Sequence, residues 1–184
     1  MRLDPALFCR NILDASLWPC QIEIITAVQR YAEVYVPSYH GSGKSYTAAH
    51  VALHFLYTYP HSIVIITAPT GRQVRKVLWQ EIRRAYSKAK IPLGGEILQT
   101  ELGLSDKWYA FGFSTDEPTN FSGLHAEHVL VIIDEATGVA ADTFKDIGTL
   151  KLGVDVAGEE TKMFMSFAPT SRPKSSAATA PMTP

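Results

Sequence analysis

The chain has 184 residues, 46% hydrophobic and 19% charged, which suits one globular domain with its own core and excludes a disordered polymer. Seventeen basic against eighteen acidic side chains leave a formal net charge of −1, so any nucleic-acid contact must come from a local patch. Cys9 and Cys20 are too few for a disulfide framework, have no metal-ligand spacing, and fit reduced thiols in the cytosol.

In chain order, Pro5 to Leu13 predicts a short helix, broken at Leu17-Trp18-Pro19. With Pro19 at a first helical position, Cys20 to Tyr31 reads as the next helix. Val34 to Pro37 is the first strand, and Lys44 to Tyr57 a helix apolar on most sides. Ser62 to Thr67 is a second strand, closed by Ala68-Pro69-Thr70-Gly71. Gln73 to Lys88 predicts an amphipathic helix with Val74, Val77, Leu78, Ile82, Ala85 and Tyr86 on one face. Glu96 to Leu102 and Trp108 to Phe113 read as two β segments joined by Gly103-Leu-Ser-Asp106, an edge hairpin. Val129 to Ile133 is a buried strand, 140–150 a helix, and Met163 to Phe167 the last strand. The alternation predicts an α/β fold, a mostly parallel sheet sandwiched by helices. Residues 1–170 make up this domain; 171–184, rich in Ser, Ala, Thr and Pro, are expected to be a disordered tail. No apolar run approaches the ~18 residues of a membrane span. The N-terminus lacks the apolar core of a secretory signal, and there is no internal repeat.

The first strand runs into Ser38-Tyr39-His40-Gly41-Ser42-Gly43-Lys44-Ser45, which matches the phosphate-cradling pattern G-x-x-x-x-G-K-[ST] except at Ser38. Backbone N–H groups of such a loop turn inward, and the following helix aims its positive end at a triphosphate. Lys44 would reach the β- and γ-phosphates and Ser45 would hold Mg2+. Gly41 and Gly43 suit the unusual backbone angles. An ordinary Gly/Ser turn before a helix is the plainer alternative. A second motif decides between them: Val129 to Ile133 ends in Asp134-Glu135, at the sheet edge where ligands of parallel sheets gather. Alone, the pair is equally a solvated strand end; downstream of the loop it supplies a Mg2+-binding acid, Asp134, and a general base for water, Glu135.

Several phrases around these motifs occur together in one family. Trp18-Pro-Cys-Gln21, the Ser38–Ser45 loop, Ile66-Thr-Ala-Pro-Thr-Gly-Arg-Gln73, Phe121-Ser-Gly-Leu-His-Ala126, Val129 to Ala136, and Phe167-Ala168-Pro169-Thr170 follow its order over residues 15–170. The chain resembles the N-terminal ATPase domain of phage terminase large subunits, the motors that pump viral DNA into proheads. The resemblance implies a P-loop ATPase using ATP and Mg2+, acting in the host-cell cytoplasm on double-stranded DNA. It also implies portal and small-subunit partners and a homo-oligomer on the motor. Gln21 looks like the glutamine that reads the adenine edge, for which an amide has the required donor and acceptor; apart from the resemblance, a surface amide on a helix is the plainer alternative. Ala168-Pro169-Thr170 looks like the coupling motif, with Thr170 sensing the γ-phosphate; a Pro-terminated strand end is the alternative. His125 is expected in a loop near the nucleotide or DNA, a purely structural histidine being the commoner alternative. Arg72, Arg75, Lys76, Arg83, Arg84, Lys88 and Lys90 form the densest basic stretch, either a solvated helix face or a salt-sensitive contact to phosphates.

Two departures accompany the resemblance. Tyr39 and His40 stand where many relatives carry an arginine, so that charge comes from elsewhere in the chain, Arg72 being one candidate, or from a neighbour. The relatives also continue into a lid region and a metal-dependent nuclease domain, which the composition change near Ser171 does not lead into. A truncated or frame-shifted product is therefore expected, and downstream DNA without nuclease sequence in any frame would count against it. A helicase-like translocase shares the upstream glutamine, the loop and Asp-Glu-Ala, but normally needs a second motor domain. An ATP-binding remnant without turnover is the third reading, recognised by binding without phosphate release.

Overall fold

The computed structural model describes residues 3–37, 41–115, 126–139, 160–167 and 178–179. Helix α1 (Pro5–Asn11) begins with Pro5 in its first turn, and the Asp4 carboxylate accepts from the Leu7 N–H at 2.9 Å. That carboxylate fills one of the orphan donors of a helix start. Helix α2 (Pro19–Arg30) follows, then β1 (Glu33–Pro37), α3 (Lys44–Thr58) and β2 (Ser62–Ala68). One helical run, α4 (Gly71–Gln73), a π turn (Val74–Leu78) and α5 (Trp79–Ser87), covers the segment expected as a single helix. The strands β3 (Glu96–Ile97), β4 (Glu101–Ser105), β5 (Trp108–Ser114), β6 (His128–Ile133), β7 (Glu160–Phe167) and β8 (Ala178–Thr179) complete the described elements.

The eight described strands form one sheet in the order β3-β4-β5-β2-β6-β7-β1-β8. Pairing is parallel from β5 to β8 and antiparallel from β5 to β3, so the hairpin lies at an edge as expected. Its turn is not where the glycine suggests. Gly103 and Ser105 belong to β4, paired with Tyr109 and Trp108, and the chain reverses at Asp106-Lys107. A glycine in a strand often marks an irregularity rather than a turn, and the register shifts between Gly103 and Ser105. At the other edge Ala178 and Thr179 pair with Val34 and Tyr35, so two residues of the Ser/Ala/Thr/Pro segment join the sheet and occupy hydrogen-bonding groups of β1. The helix expected over 140–150 and the remainder of 171–184 lie outside the described residues.

The strand period of two divides the core. Val34, Val36, Val64, Ile66, Ala110, Leu130 and Ile132 pack with α1, α2, α3 and α5 on one face. Ile63, Ile65, Phe113, Val129, Val131 and Ile133 form the cluster on the other. All seven residues of β2 are buried, the continuous apolar run expected of a central parallel strand. Helix α3 is buried from Thr47 to Leu56, and this includes His50 and His54, which an apolar count overlooks. Each is 3% exposed: His50 Nδ1 lies 2.7 Å from the Tyr46 carbonyl and His54 Nε2 3.2 Å from that of Leu3.

Candidate functional site

The site forms where β1 and β6 end at one edge of the sheet. Between them runs β7, with Phe167 level with Pro37 and Met165 level with Ile133. The segment leaving β7, Ala168-Pro169-Thr170, lies outside the described residues, as do Ser38, Tyr39, His40 and His125. From Gly41 onward the loop is described. Gly41 and Gly43 have φ of 81° and 77°, a region costly for any side chain bearing a Cβ. Ser42 lies half-buried between them. Gly43 is the cap residue of α3, and its carbonyl accepts from the Thr47 hydroxyl at 3.0 Å. Lys44 and Ser45 follow as the first helical residues, where unpaired N–H groups and the helix dipole favour an anion.

Across the edge, Asp134 leaves β6 with its N–H bound to the Thr67 carbonyl at 2.9 Å, and is 6% exposed. The Ser45 hydroxyl lies 3.5 Å from Asp134 Oδ2, so two motifs 89 residues apart meet. Glu135 has φ 51°, and its N–H is bound to Asp134 Oδ1 at 3.1 Å. Left-handed backbone is uncommon for a non-glycine residue and turns the Glu135 side chain away from the path β6 would have continued. Its carboxylate Oε2 accepts from Gln73 Nε2. Gln73 in turn is fixed by Thr70: its Oε1 accepts from the Thr70 N–H at 3.1 Å and the Thr70 hydroxyl at 2.8 Å, and its N–H is bound to Thr70 Oγ1 at 3.3 Å. The turn after β6 also rests directly on the turn after β2, since a Cβ on Gly138 would fall 2.8 Å from Pro69 Cγ.

These groups open into a cleft of about 600 Å³. One wall carries Gly41, Gly43, Lys44, Ser45 and Tyr46, the floor Asp134 and Glu135, and the opposite wall Gln73, Lys76, Val77, Gln80, Glu81 and Arg84. That second wall was missed as part of the site. A signal for Gln73 exists in Thr70-x-x-Gln73, the spacing of a capping box. Arg72, offered as a source of positive charge, does not line the cleft; Lys76 and Arg84 do.

Gln21 sits beside the loop rather than in the cleft. It is 5% exposed, its Oε1 accepts from the Trp18 N–H at 2.9 Å, and its Nε2 lies 2.8 Å from where a Gly43 Cβ would be. A paired donor–acceptor contact to adenine needs both ends of that amide, and one already caps α2. The basic stretch likewise divides among several surroundings. Arg83 donates to the Gln99 carbonyl, Lys90 pairs with Asp14 at 3.0 Å, and Arg75 lies over Gly71. It is not one continuous positive face.

Among the described residues no cluster of three or more His, Cys, Asp or Glu is built to cage a metal. The hydroxyl of Ser45 beside the carboxylate of Asp134 is a different donor set: two hard oxygens, the pattern by which Mg2+ is held together with substrate phosphates and water. No described helix is long and apolar enough to cross a membrane.

No family model matches the chain. A probable terminase large subunit of Enterobacteria phage P7 is 30% identical over 146 residues, 73% of this chain and 30% of that protein. The chain is related to phage terminase large subunits. It spans about a third of the length of the terminase it matches. The large terminase ATPase domain of Thermus phage P74-26 superposes with a TM-score of 0.70 at 20% identity, covering 94% of this chain and 72% of the other. The large terminase of bacteriophage HK97 gives a TM-score of 0.71 at 17% identity over 91% of this chain and 38% of its own. A large terminase from a thermophilic bacteriophage, solved in complex with ADP, gives 0.55 at 14% identity over 83% of this chain and 39% of its own. The terminase ATPase fold is thus the fold of this chain.

Proposed function

We propose that this terminase relative binds ATP with Mg2+ and hydrolyses it to move double-stranded DNA during viral genome packaging. The observation carrying the proposal is the approach of Ser45 Oγ to 3.5 Å from Asp134 Oδ2 at the mouth of a glycine loop. Residues 41–45, with Ser38, Tyr39 and His40, cradle the phosphates, and Lys44 neutralises their β- and γ-oxygens. Ser45 and Asp134 are the residues that would hold Mg2+, which when bound offsets charge on the phosphate oxygens. Glu135 takes a proton from water while the water oxygen bonds to the γ-phosphorus and the bond to the bridging oxygen breaks, releasing ADP. Gln73 holds the Glu135 carboxylate for that task. A hydroxyl at Thr170, three residues after β7 in the sequence, relays loss of the phosphate to DNA-gripping segments. Double-stranded DNA, a portal, a small terminase subunit and further copies of the chain are the partners, in the host-cell cytoplasm.

The test is nucleotide binding and phosphate release with Lys44→Ala and Glu135→Gln. Lys44→Ala is expected to abolish ATP binding. Glu135→Gln is expected to bind ATP and lose roughly a hundredfold or more in turnover, the usual weight of a general base. Unimpaired turnover in Glu135→Gln would sink the assigned base. ATP binding without phosphate release in the unmodified chain, even with DNA and portal added, would replace hydrolysis with binding alone.

A further inference from the structure

Lys76 is a cation on the second wall that the proposed function does not use. It is exposed, borders the same cleft as Lys44, Ser45, Asp134 and Glu135, and follows one turn after Gln73, whose amide touches Glu135. Arg84, two turns on, has a carboxylate partner in Glu81 at 3.8 Å. Among the described residues Lys76 enters no ion pair. A cation bordering a phosphate cradle, with no ion-pair partner among the described residues, is poised to take its counter-charge from a ligand.

The backbone is distorted at this residue. The Trp79 N–H is bound to the Val74 carbonyl, an i→i+5 bond, so one extra residue is wound into the turn containing Lys76. In an α-helix residues i and i+5 point about 140° apart. The wider turn brings Val74 and Trp79 onto one buried face, and both crowd the site where Gly112 would carry a Cβ, at 2.8 and 2.1 Å. The turn that buries this pair leaves Lys76 and Val77 on the cleft side, in line with Gln73 and Gln80. Such single π turns recur at functional sites.

We infer that Lys76 is a further catalytic residue, whose ammonium contacts the terminal phosphate of the bound triphosphate. The inference rests on the ATPase reading above. A contact to the γ-phosphate separates triphosphate from diphosphate, because ADP has nothing there to bind. It also strengthens as charge moves onto the phosphoryl oxygens, so it serves turnover as well as affinity.

The experiment measures dissociation constants for ATPγS and for ADP, and steady-state hydrolysis, in the full chain and in Lys76→Ala, Lys76→Arg, Arg72→Ala and Lys44→Ala. Lys76→Ala is expected to bind ATPγS about tenfold more weakly with ADP affinity unchanged, and to lose roughly a hundredfold in kcat. Lys76→Arg keeps the charge and restores most of both. Arg72→Ala removes the same charge from the same helix away from the cleft and leaves the ATPγS/ADP ratio as it was. An unchanged ratio in Lys76→Ala, or an equal change in Arg72→Ala, overturns the assignment while Lys44→Ala still shows a nucleotide site. Failure of the unmodified chain to bind ATPγS overturns both readings together.

Discussion

The Gln73 amide N–H donates to the Glu135 carboxylate while its carbonyl oxygen is held by the backbone and hydroxyl of Thr70. The base proposed for hydrolysis is thus oriented by a helix cap. The linkage also ties the exit of β2 to that of β6, two neighbouring strands of the sheet. Gln73→Ala frees the carboxylate without removing it. Its kcat is expected to fall roughly fivefold, near the ~1 kcal/mol of one hydrogen bond, with KM unchanged. Thr70→Ala, which loosens Gln73 but leaves its amide, should fall less. A rise in KM with constant kcat would mean that Gln73 binds substrate instead.

Gly43 is constrained twice, by φ of 77° and by Gln21 Nε2 at 2.8 Å from an added Cβ. Gly41 has φ of 81° but open space around it. Gly41→Ala should therefore lose only the left-handed backbone term, about 1–2 kcal/mol, in denaturant unfolding. Gly43→Ala should lose that and more, and part of the excess should return in the double variant with Gln21→Ala. Equal losses at the two glycines would show that the amide contact carries no weight.

Gln21 itself separates two roles that the sequence leaves together. With Oε1 engaged by the Trp18 N–H and Nε2 against the loop, it braces Gly43 more than it reads a base. Gln21→Ala is expected to weaken ATP and GTP binding by similar factors. Isothermal titration with both nucleotides decides the matter: a loss confined to ATP restores the adenine-reading role.

The sheet and the meeting of Ser45 with Asp134 were legible because each rests on local pattern. Continuous β-branched runs such as Ser62 to Thr67 have few alternatives to a buried parallel strand, and loop and acid each end one. The second wall of the cleft was not legible, for a physical reason. Val74, Leu78 and Ile82 repeat every four residues whether or not a π turn intervenes, so the pattern hides the extra residue. What forces the turn is distant in sequence: Gly112 of β5 leaves the space into which Trp79 inserts. The hairpin misled in the opposite direction, since Gly103 resembles a turn residue while Asp106-Lys107 makes the turn. Gln21 was conspicuous only by its position before the loop; its cap on α2 is a local contact three residues apart, and only the approach of its Nε2 to Gly43 is a tertiary fact.

Acid sensitivity follows from the two histidines buried in α3. Burial holds both His50 and His54 below the ordinary imidazole value of 6.5, outweighing the upward pull of the Tyr46 and Leu3 carbonyls and of Glu81 and Asp4. The unfolded chain therefore binds more protons than the folded one around and just below pH 6.5. The stability these residues contribute is fully present above that value and declines as pH falls through it. Thermal unfolding at about pH 7.5 and about pH 5.5 should show a lower Tm in acid, in a window above the ordinary carboxylate range. His50→Gln and His54→Gln should each flatten that dependence, whatever their effect on Tm at neutral pH. A Tm that holds steady or rises on acidification would mean that the imidazoles are charged inside the fold, against what their burial dictates.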